Sequence, residues 1–486
     1  MKCYVRTALS LTIISTFFGC KPADPGLKGN TAPFHSVPWC PPNLYGPETP
    51  PPPLPDHPLG TCELLNIALE NNPLTSRSWN IAKKSAFDVG VSESELYPTI
   101  SAQESLTFAV VGFKSGAGGG GAAGGAMGAS GATGATGATG APPVLSNYTQ
   151  TVKHNLIISY LLLDFGGRQA QIEAARFALL SANWSHNRVL QDVMLNVLES
   201  YYNYTGAKGT LEAQQENLED SKTSLDAAKA LFEAGITARL DVLLAESNYI
   251  NVQLQLEITQ GQLNTTLGQL ASAIGSPAST ILNVADLPKE LPLDVISEGM
   301  AALIETAKLK RPDLAATFSD FLQRQEAIII ANSAGLPTIM LDANLQQTNY
   351  IHQPMFNNHL YTGTIGMNIP IFAGFFYINQ TAAARAEAAA SYDSWREKKN
   401  TVLLDVVTSY YAYGTALGAL KFTEAYLKNT QESYDVALAS YREGVGSILD
   451  LLVAQTALAN ARAQWVNART QLLTSAVSVA YATGTL

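Results

Sequence analysis

Two aspartates, Asp241 and Asp450, occupy matching places in two copies of one sequence segment. Residues 231–246 read LFEAGITARLDVLLAE and residues 440–455 read SYREGVGSILDLLVAQ, so a shift of 209 positions superposes the two aspartates. A carboxylate close behind a turn can stabilise the start of a helix, and carboxylates that are brought together repel one another and attract cations. The sequence has no nucleophile beside a base, no metal-ligand cluster and no nucleotide-binding loop at a usable spacing. We therefore expect electrostatic chemistry, without enzymatic activity, a metal or a cofactor.

Each aspartate lies six positions after a glycine, Gly235 in the first copy and Gly444 in the second. Glycine at such a place supplies the positive φ angle that reverses a helix. Ser447 and Asp450 also form the Ser-x-x-acid pattern of a capping box, whereas Asp241 has no serine before it. Capping of a helix start is thus one complete explanation of Asp450, and a further role depends on what surrounds it.

The shift of 209 positions also matches residues far from the two aspartates, over roughly seventy residues, which predicts a duplicated supersecondary unit. We place the first repeat at 61–275, the second at 297–486 and a proline-containing linker at 276–296, with the glycine turns at 234–240 and 443–449. The same shift superposes Tyr201 on Tyr410, Tyr202 on Tyr411, Tyr204 on Tyr413 and Arg176 on Arg385.

The first 60 residues have the composition of an exported and tethered protein. Residues 1–19 combine a basic start with a short apolar run, as in an export signal. Cys20 follows Gly19 as in a lipobox, which predicts lipidation; an ordinary signal with a chance cysteine is the alternative. Residues 20–60 are proline-rich and predict an extended tether. In an exported chain, Cys40 and Cys62 either pair or remain two free thiols.

Proline-free stretches at 167–234 and 376–443 predict two helices of about 100 Å each, at 1.5 Å per residue. Leucine or aromatic residues recur every seven positions in both, which is typical of helices that pack side by side as coiled coils. Shorter helices are expected at 63–96, 238–275, 297–334 and 447–482.

Two β-hairpins are predicted at 97–163 and 337–372, with a flexible Gly/Ala-rich loop at 114–143 in the first. After the signal, no run of eighteen apolar residues follows, so a membrane crossing would be made by strands. Alternation of apolar and polar residues along a strand is typical of a transmembrane barrel, but a soluble half-buried sheet shows it too. The export signal favours the membrane. Apolar residues alternate with polar ones in 100–110, 152–162, 339–345 and 361–369.

Four strands are too few to close a membrane barrel, because the smallest single-chain barrels use eight. A cyclic trimer would supply twelve strands. The predicted fold is therefore an α+β membrane protein with two internal repeats. It combines a long antiparallel α-helical barrel with a four-stranded share of a trimeric, 12-stranded transmembrane β-barrel. Charged residues make up only 14% of the chain and the net charge is −10, which disfavours a nucleic-acid partner.

The order of short motifs resembles the TolC family of outer membrane factors, and more narrowly its lipoprotein branch. The resemblance covers about 61–486, and the chain departs from it in the Gly/Ala-rich insert and in Phe375-Phe376. The motifs are ALENNP at 68–73, Leu-Pro-Thr-Ile at 336–339, Leu-Asp-Phe-Gly-Gly-Arg at 163–168, Pro-Ile-Phe-Ala-Gly at 370–374 and the Gly-x5-Asp turns.

This resemblance implies a homotrimeric exit duct in the outer membrane, in contact with its lipid. A periplasmic adaptor would join the duct to an inner-membrane pump of the RND or ABC type, for efflux or secretion. The resemblance also implies that Asp450 is a gate residue at the periplasmic mouth, although Gly446 and Val453 stand where further polar gate partners are expected. The adaptor would dock on the two turns, at Gly235, Ile236, Thr237, Asp241, Gly444, Val445, Gly446 and Ser447.

A lipidated, trimeric coiled-coil adhesin without channel activity is the alternative function, since it would share the export signal, the long helices and the Gly/Ala-rich segment. It needs no barrel, so channel activity of the purified protein separates the two.

Overall fold

The computed structural model describes residues 57–113, 145–286, 299–351 and 357–486. The expectations for the signal, Cys20, Cys40, the Gly/Ala-rich loop and the tether up to residue 56 lie outside these residues. The end of the predicted tether packs into the fold, because Leu59 is buried and its N–H donates to Asn283 O at 2.8 Å. The described part consists of helices and one four-stranded sheet. In chain order the elements are α1 Thr61–Asn71, α2 Pro73–Ser94, β1 Thr99–Phe113, β2 Leu145–Leu163, α3 Gly167–Glu233, α4 Arg239–Ala273, α5 Met300–Lys310, α6 Pro312–Ser333, β3 Thr338–Tyr350, β4 Asn358–Asn368, α7 Phe376–Arg442 and α8 Ile448–Thr483.

The helices that lead into the strands differ from the prediction. The stretches 63–96 and 297–334 were each expected to hold a single helix, but both are broken before a proline, at Asn72 and Arg311. A residue that precedes proline avoids the α conformation, and proline fits the first helical position because its missing N–H has no partner there. The Asn72 side chain caps the new helix by accepting a hydrogen bond from Leu74 N at 2.9 Å.

Arg311 anchors the second of these breaks to the rest of the fold. Its side chain is almost wholly buried and donates to Asp313 at 2.6 Å and to Asp405 at 2.9 Å. It also donates to the carbonyl oxygen of Ala482 near the end of α8, at 3.4 Å. A buried arginine requires such partners, because a buried charge without them is very costly. The network therefore joins α6, α7 and the C-terminal end of α8.

The four longest helices lie side by side in the order α4, α3, α8, α7. α3 packs against α4 and α8, and α7 packs against the other side of α8. Seven-residue spacing places Leu225 of α3, together with Tyr434 and Tyr441 of α7, in one buried cluster near the two glycine turns. A second cluster, around Val402, Val406 and Leu472, joins α5, α7 and α8. The outer faces of α4 and α7 have no neighbouring helix in the described chain.

The strands form one antiparallel sheet in the order β1-β2-β3-β4. β2 pairs with β3, although they belong to different halves of the chain, and this pairing has a register shift between Leu161 and Leu163. β1 and β4 are the edge strands, and neither pairs on its outer side within the described residues. The helices begin at one end of this sheet, so the two glycine turns lie about 100 Å from it along α3 and α7.

None of the helices in the described ranges is long and apolar enough to cross a membrane. Cys62 is exposed and free.

Candidate functional site

The two glycine turns have nearly the same geometry. Gly235 has a φ of 74° and Gly444 a φ of 73°, both in the left-handed region that favours glycine. Ile236 N donates to Leu231 O at 2.9 Å, and Val445 N donates to Ser440 O at 3.1 Å. These bonds satisfy carbonyl groups that a helix end would otherwise leave without a partner.

The predicted cap at Ser447 is present at the start of α8. The Ser447 hydroxyl accepts a hydrogen bond from Asp450 N at 3.2 Å and donates to the Asp450 carboxylate at 2.7 Å. The Asp450 side chain remains exposed beside this bond. Asp241 lies in the first turn of α4, which has no such cap because the N-cap residue of this helix is Ala238. The structure thus places Asp450 at a capped helix start with its charge facing solvent.

The structure brings the two turns of one chain together. A Cβ atom built on Gly444 would lie 3.5 Å from Ile236 Cγ2, so the first turn rests against the second. Thr237 is partly buried, whereas Ile236 is exposed. The predicted docking residues of both turns therefore form one surface of the chain, instead of two separate surfaces.

Tyr441 is a contributor that the sequence analysis did not assign to the site. Its side chain is 1% exposed and lies in the buried cluster that joins the two helical hairpins. Burial raises the pKa of Tyr441, and the nearby Asp241 carboxylate adds to this rise. Asp241 therefore belongs to the contact between the hairpins as well as to the exposed turn. The seven-residue spacing marked Tyr441 only as a packing position.

Position 446 has no polar side chain because the neighbouring backbone leaves little room for one beside Gly446. A Cβ atom on Gly446 would lie 3.1 Å from Tyr441 N and 3.2 Å from Ser440 C, closer than most real contacts. Any larger residue would require this turn to shift. The end of the molecule is instead rich in exposed apolar side chains. These are Ile236, Leu240, Val445, Leu449 and Val453.

Above the turns, one arginine holds three helices together. Arg462 of α8 donates to Asn217 at 2.7 Å and to Asp220 at 2.6 Å, both on α3. It also donates to Gln431 of α7 at 3.3 Å. The hydroxyl of Tyr434 donates to the carbonyl oxygen of Asp220 at 3.2 Å. These bonds couple the two hairpins some distance away from their turns.

The strand register separates the sheet into an apolar and a polar face. Ile100, Ile158 and Ala343 lie in one row across three strands, and Ser101, Ile157 and Asn344 lie in the neighbouring row on the other face. The main exception on the apolar face is one polar row across the four strands, formed by Glu104, His154, Gln347 and His359. Within it, Glu104 lies 3.1 Å from His154. Exposed apolar residues of the first face include Ile100, Leu106, Phe108, Leu156, Leu341, Leu345, Tyr361, Ile365 and Met367.

An exposed aromatic group lies where the strands meet the long helices. Phe165 and Phe375 adopt positive φ angles of 51° and 64°, which are uncommon outside glycine. Phe375 is 63% exposed and stacks edge-to-face against Phe372, which is 75% exposed. In membrane proteins, aromatic side chains are enriched where the apolar region meets water. Phe375, which departs from the family pattern, is therefore part of this group.

Two of the long helices carry stripes of exposed apolar residues. On α4 the stripe consists of Leu243, Ile250, Leu254 and Ile258, which recur at seven- and four-residue spacings. On α7 the exposed residues Leu404, Tyr411, Phe422, Tyr426 and Val436 follow the same kind of spacing. α4 and α7 are the outermost helices of the layer, so both stripes face away from the chain.

Comparison with known proteins gives a consistent picture. A family model described as "Outer membrane efflux protein" matches residues 64–276 and 303–485. Protein CyaE of Bordetella pertussis is 24% identical, over 95% of this chain and 90% of its own length. Outer membrane protein TolC of Escherichia coli is 25% identical, over 61% of this chain and 62% of its own length.

Solved structures match the fold over most of its length. The outer-membrane channel OprN has a TM-score of 0.74 at 17% identity, covering 87% of this chain and 89% of its own. CusC has a TM-score of 0.73 at 18% identity, covering 87% of this chain and 92% of its own. At such identities the likeness concerns the fold alone.

Proposed function

Because this chain belongs to the outer membrane efflux protein family, we propose that three copies of it form a passive exit duct through the outer membrane. The observation that carries this proposal is the four-stranded sheet, with one apolar face, one polar face and two open edges. The apolar face would contact lipid and the polar face would line a water-filled lumen.

Closure of the sheet requires other copies of the chain. Each unpaired backbone group at an edge in hydrocarbon costs several kcal/mol, so β1 of one copy pairs with β4 of the next. Three copies give twelve strands, within the range of known barrels. The helical layer closes in the same way, with the α4 stripe of one copy packed on the α7 stripe of its neighbour. The helices then form a tube below the barrel, on the periplasmic side.

Two repeats of one unit fit this arrangement. The lengths of equivalent helices support the duplication: α3 and α7 have 67 residues each, and α4 and α8 have 35 and 36. α1 matches α5 with 11 residues each, and α2 matches α6 with 22 each. Equal lengths allow the tube wall to have uniform height around its circumference.

The turns lie at the periplasmic mouth in this proposal, where Asp450 of each copy contributes to a ring of carboxylates that narrows the opening. An adaptor protein docks on the same end and connects it to an inner-membrane pump of the RND or ABC type. The exposed apolar residues Ile236 and Val445 support docking of an apolar partner surface. Cys20, which lies outside the described residues, would add a lipid anchor in the outer membrane.

Docking is tested by placing a photo-crosslinking amino acid at Val445 in cells that express the whole system. We expect crosslinks to an adaptor protein from Val445, and none from the control position Gln260, which is exposed on the shaft of α4. Failure of Val445 and of Ile236 to crosslink any adaptor would contradict this docking surface.

Channel activity is tested by adding the purified chain to one side of a planar lipid bilayer. We expect discrete conductance steps, because a closed twelve-stranded barrel encloses water. An adhesin of long helices would associate with lipid through its anchor without opening a path for ions. A protein that remains trimeric but gives no conductance and no solute flux in liposomes would contradict the duct.

A further inference from the structure

The polar face of the sheet is almost free of charge. Its rows are formed mainly by serine, threonine, asparagine and glutamine, such as Gln103, Asn155 and Gln346 in one row. Among the strand residues whose side chains the structure describes, this face has two charged residues, Lys153 and Asp342. Two opposite charges on an otherwise neutral face are the feature that needs explanation.

The two charges lie at different heights of the sheet. Lys153 is paired with Ser105 and Thr348, close to the end where β3 and β4 are connected. Asp342 is paired with Ser159, close to the end where the helices begin. Thr348 and Asp342 are six residues apart on β3, which corresponds to about 20 Å at 3.4 Å per residue.

Neither charge neutralises the other. The Debye length is about 8 Å at physiological ionic strength, less than half of the separation between Lys153 and Asp342. Asp342 is held in place by the Ser159 hydroxyl, which donates to its carboxylate at 2.7 Å. The residues paired with Lys153, Ser105 and Thr348, are uncharged.

We propose that Lys153 and Asp342 form two rings of opposite charge inside the closed barrel, which make the lumen an electrostatic filter for small charged solutes. This inference rests on the trimeric duct proposed above. The Lys153 ring lies toward the outside and holds anions, while the Asp342 ring lies toward the periplasm and holds cations. A solute crosses both rings in sequence, so the barrel distinguishes the direction of movement of an ion as well as its sign.

This arrangement predicts rectification of ionic current. When the helical side is positive, cations leave the Asp342 ring outward and anions leave the Lys153 ring inward, so both accumulate between the rings and conductance rises. With the opposite polarity both ions are withdrawn from this region and conductance falls. Because the long helices cannot cross the bilayer, they remain on the side of addition, which fixes the orientation of the channel.

The test compares current–voltage curves of the wild-type chain with those of Lys153→Gln and Asp342→Asn. At about 0.1 M salt the Debye length is about 10 Å, so the rings act separately, whereas at 1 M it is about 3 Å and their fields vanish from the lumen. We expect wild-type rectification at 0.1 M to fall toward a current ratio of one at 1 M. Each neutral variant should lose most of it at 0.1 M, and Lys153→Arg should keep it.

Ion preference gives a second, independent readout. Under a salt gradient, the reversal potential of Lys153→Gln should shift toward cation preference and that of Asp342→Asn toward anion preference. Wild-type rectification that is the same at both salt concentrations would overturn the proposal, even if a variant failed to assemble. Unchanged preference in both variants with normal conductance would also overturn it. A wild-type chain without conductance would instead contradict the duct itself.

Discussion

Replacing Ile250 by glutamate will leave single chains folded but unable to form the trimer or to conduct ions. Ile250 lies in the centre of the α4 stripe and is 57% exposed in the single chain, so the substitution disturbs no internal packing. In the assembled tube it would place a carboxylate against the apolar α7 stripe of the next copy. A buried charge without a partner costs several kcal/mol. Because the trimer is symmetric, this cost recurs at each of its contacts between neighbouring copies. Light scattering in mild detergent measures the loss of the trimer.

Gln260→Glu provides the matched control for this prediction. It adds the same charge to the same helix, at an exposed position about a quarter to a third of a turn around the helix from the stripe. We expect this variant to assemble and conduct like the wild-type chain. If Ile250→Glu also assembled normally, the α4 stripe would not be the contact between neighbouring copies, and the proposed closure of the helical tube would be wrong.

The second large effect is expected at the mouth, where Asp450→Asn should raise single-channel conductance severalfold. The substitution keeps the size of the side chain and its ability to accept the Ser447 hydrogen bond, but removes the charge. A ring of three carboxylates attracts cations and holds them in the narrow opening, where they obstruct the flow of other ions, so loss of the charge clears the path. For the same reason, the preference of the channel for cations should decrease. Planar-bilayer recordings measure both quantities.

Ser447→Ala separates gating from capping. It removes the hydroxyl that caps α8, at a cost of about 0.5–2 kcal/mol, and keeps the Asp450 charge. We expect its conductance to remain close to that of the wild-type chain. An equal rise in both variants would mean that Asp450 acts through the helix start. Unchanged conductance in Asp450→Asn, with normal assembly, would refute the gating role.

Local patterns predicted the long elements of this fold closely. The proline-free stretch at 376–443 differs by one residue from α7, and the alternation at 339–345 lies within β3. Both patterns have a local cause, since helices avoid proline and strands alternate their faces. The breaks at Asn72 and Arg311 were missed although Pro73 and Pro312 mark them, because each stretch was predicted as a single helix that continues through its proline.

The contacts of the candidate site could not be predicted in the same way. The proximity of Tyr441 to Asp241 joins residues 200 positions apart in sequence, and no local pattern reports such a distance. Glycine is favoured at position 446 because this residue lies close to the Ser440 backbone, and only the three-dimensional structure reveals that proximity. The relative heights of Lys153 and Asp342 could be assigned only from the strand register, because alternation along one strand does not show which residues of neighbouring strands lie side by side.

The most direct test of the account is the number of chains in the conducting particle. The purified protein in mild detergent should have a protein mass of three chains, after subtraction of the bound detergent, and the same fraction should produce conductance steps in a bilayer. A monomeric or dimeric particle that conducts would contradict closure by three copies, because eight or fewer strands would then have to line the path.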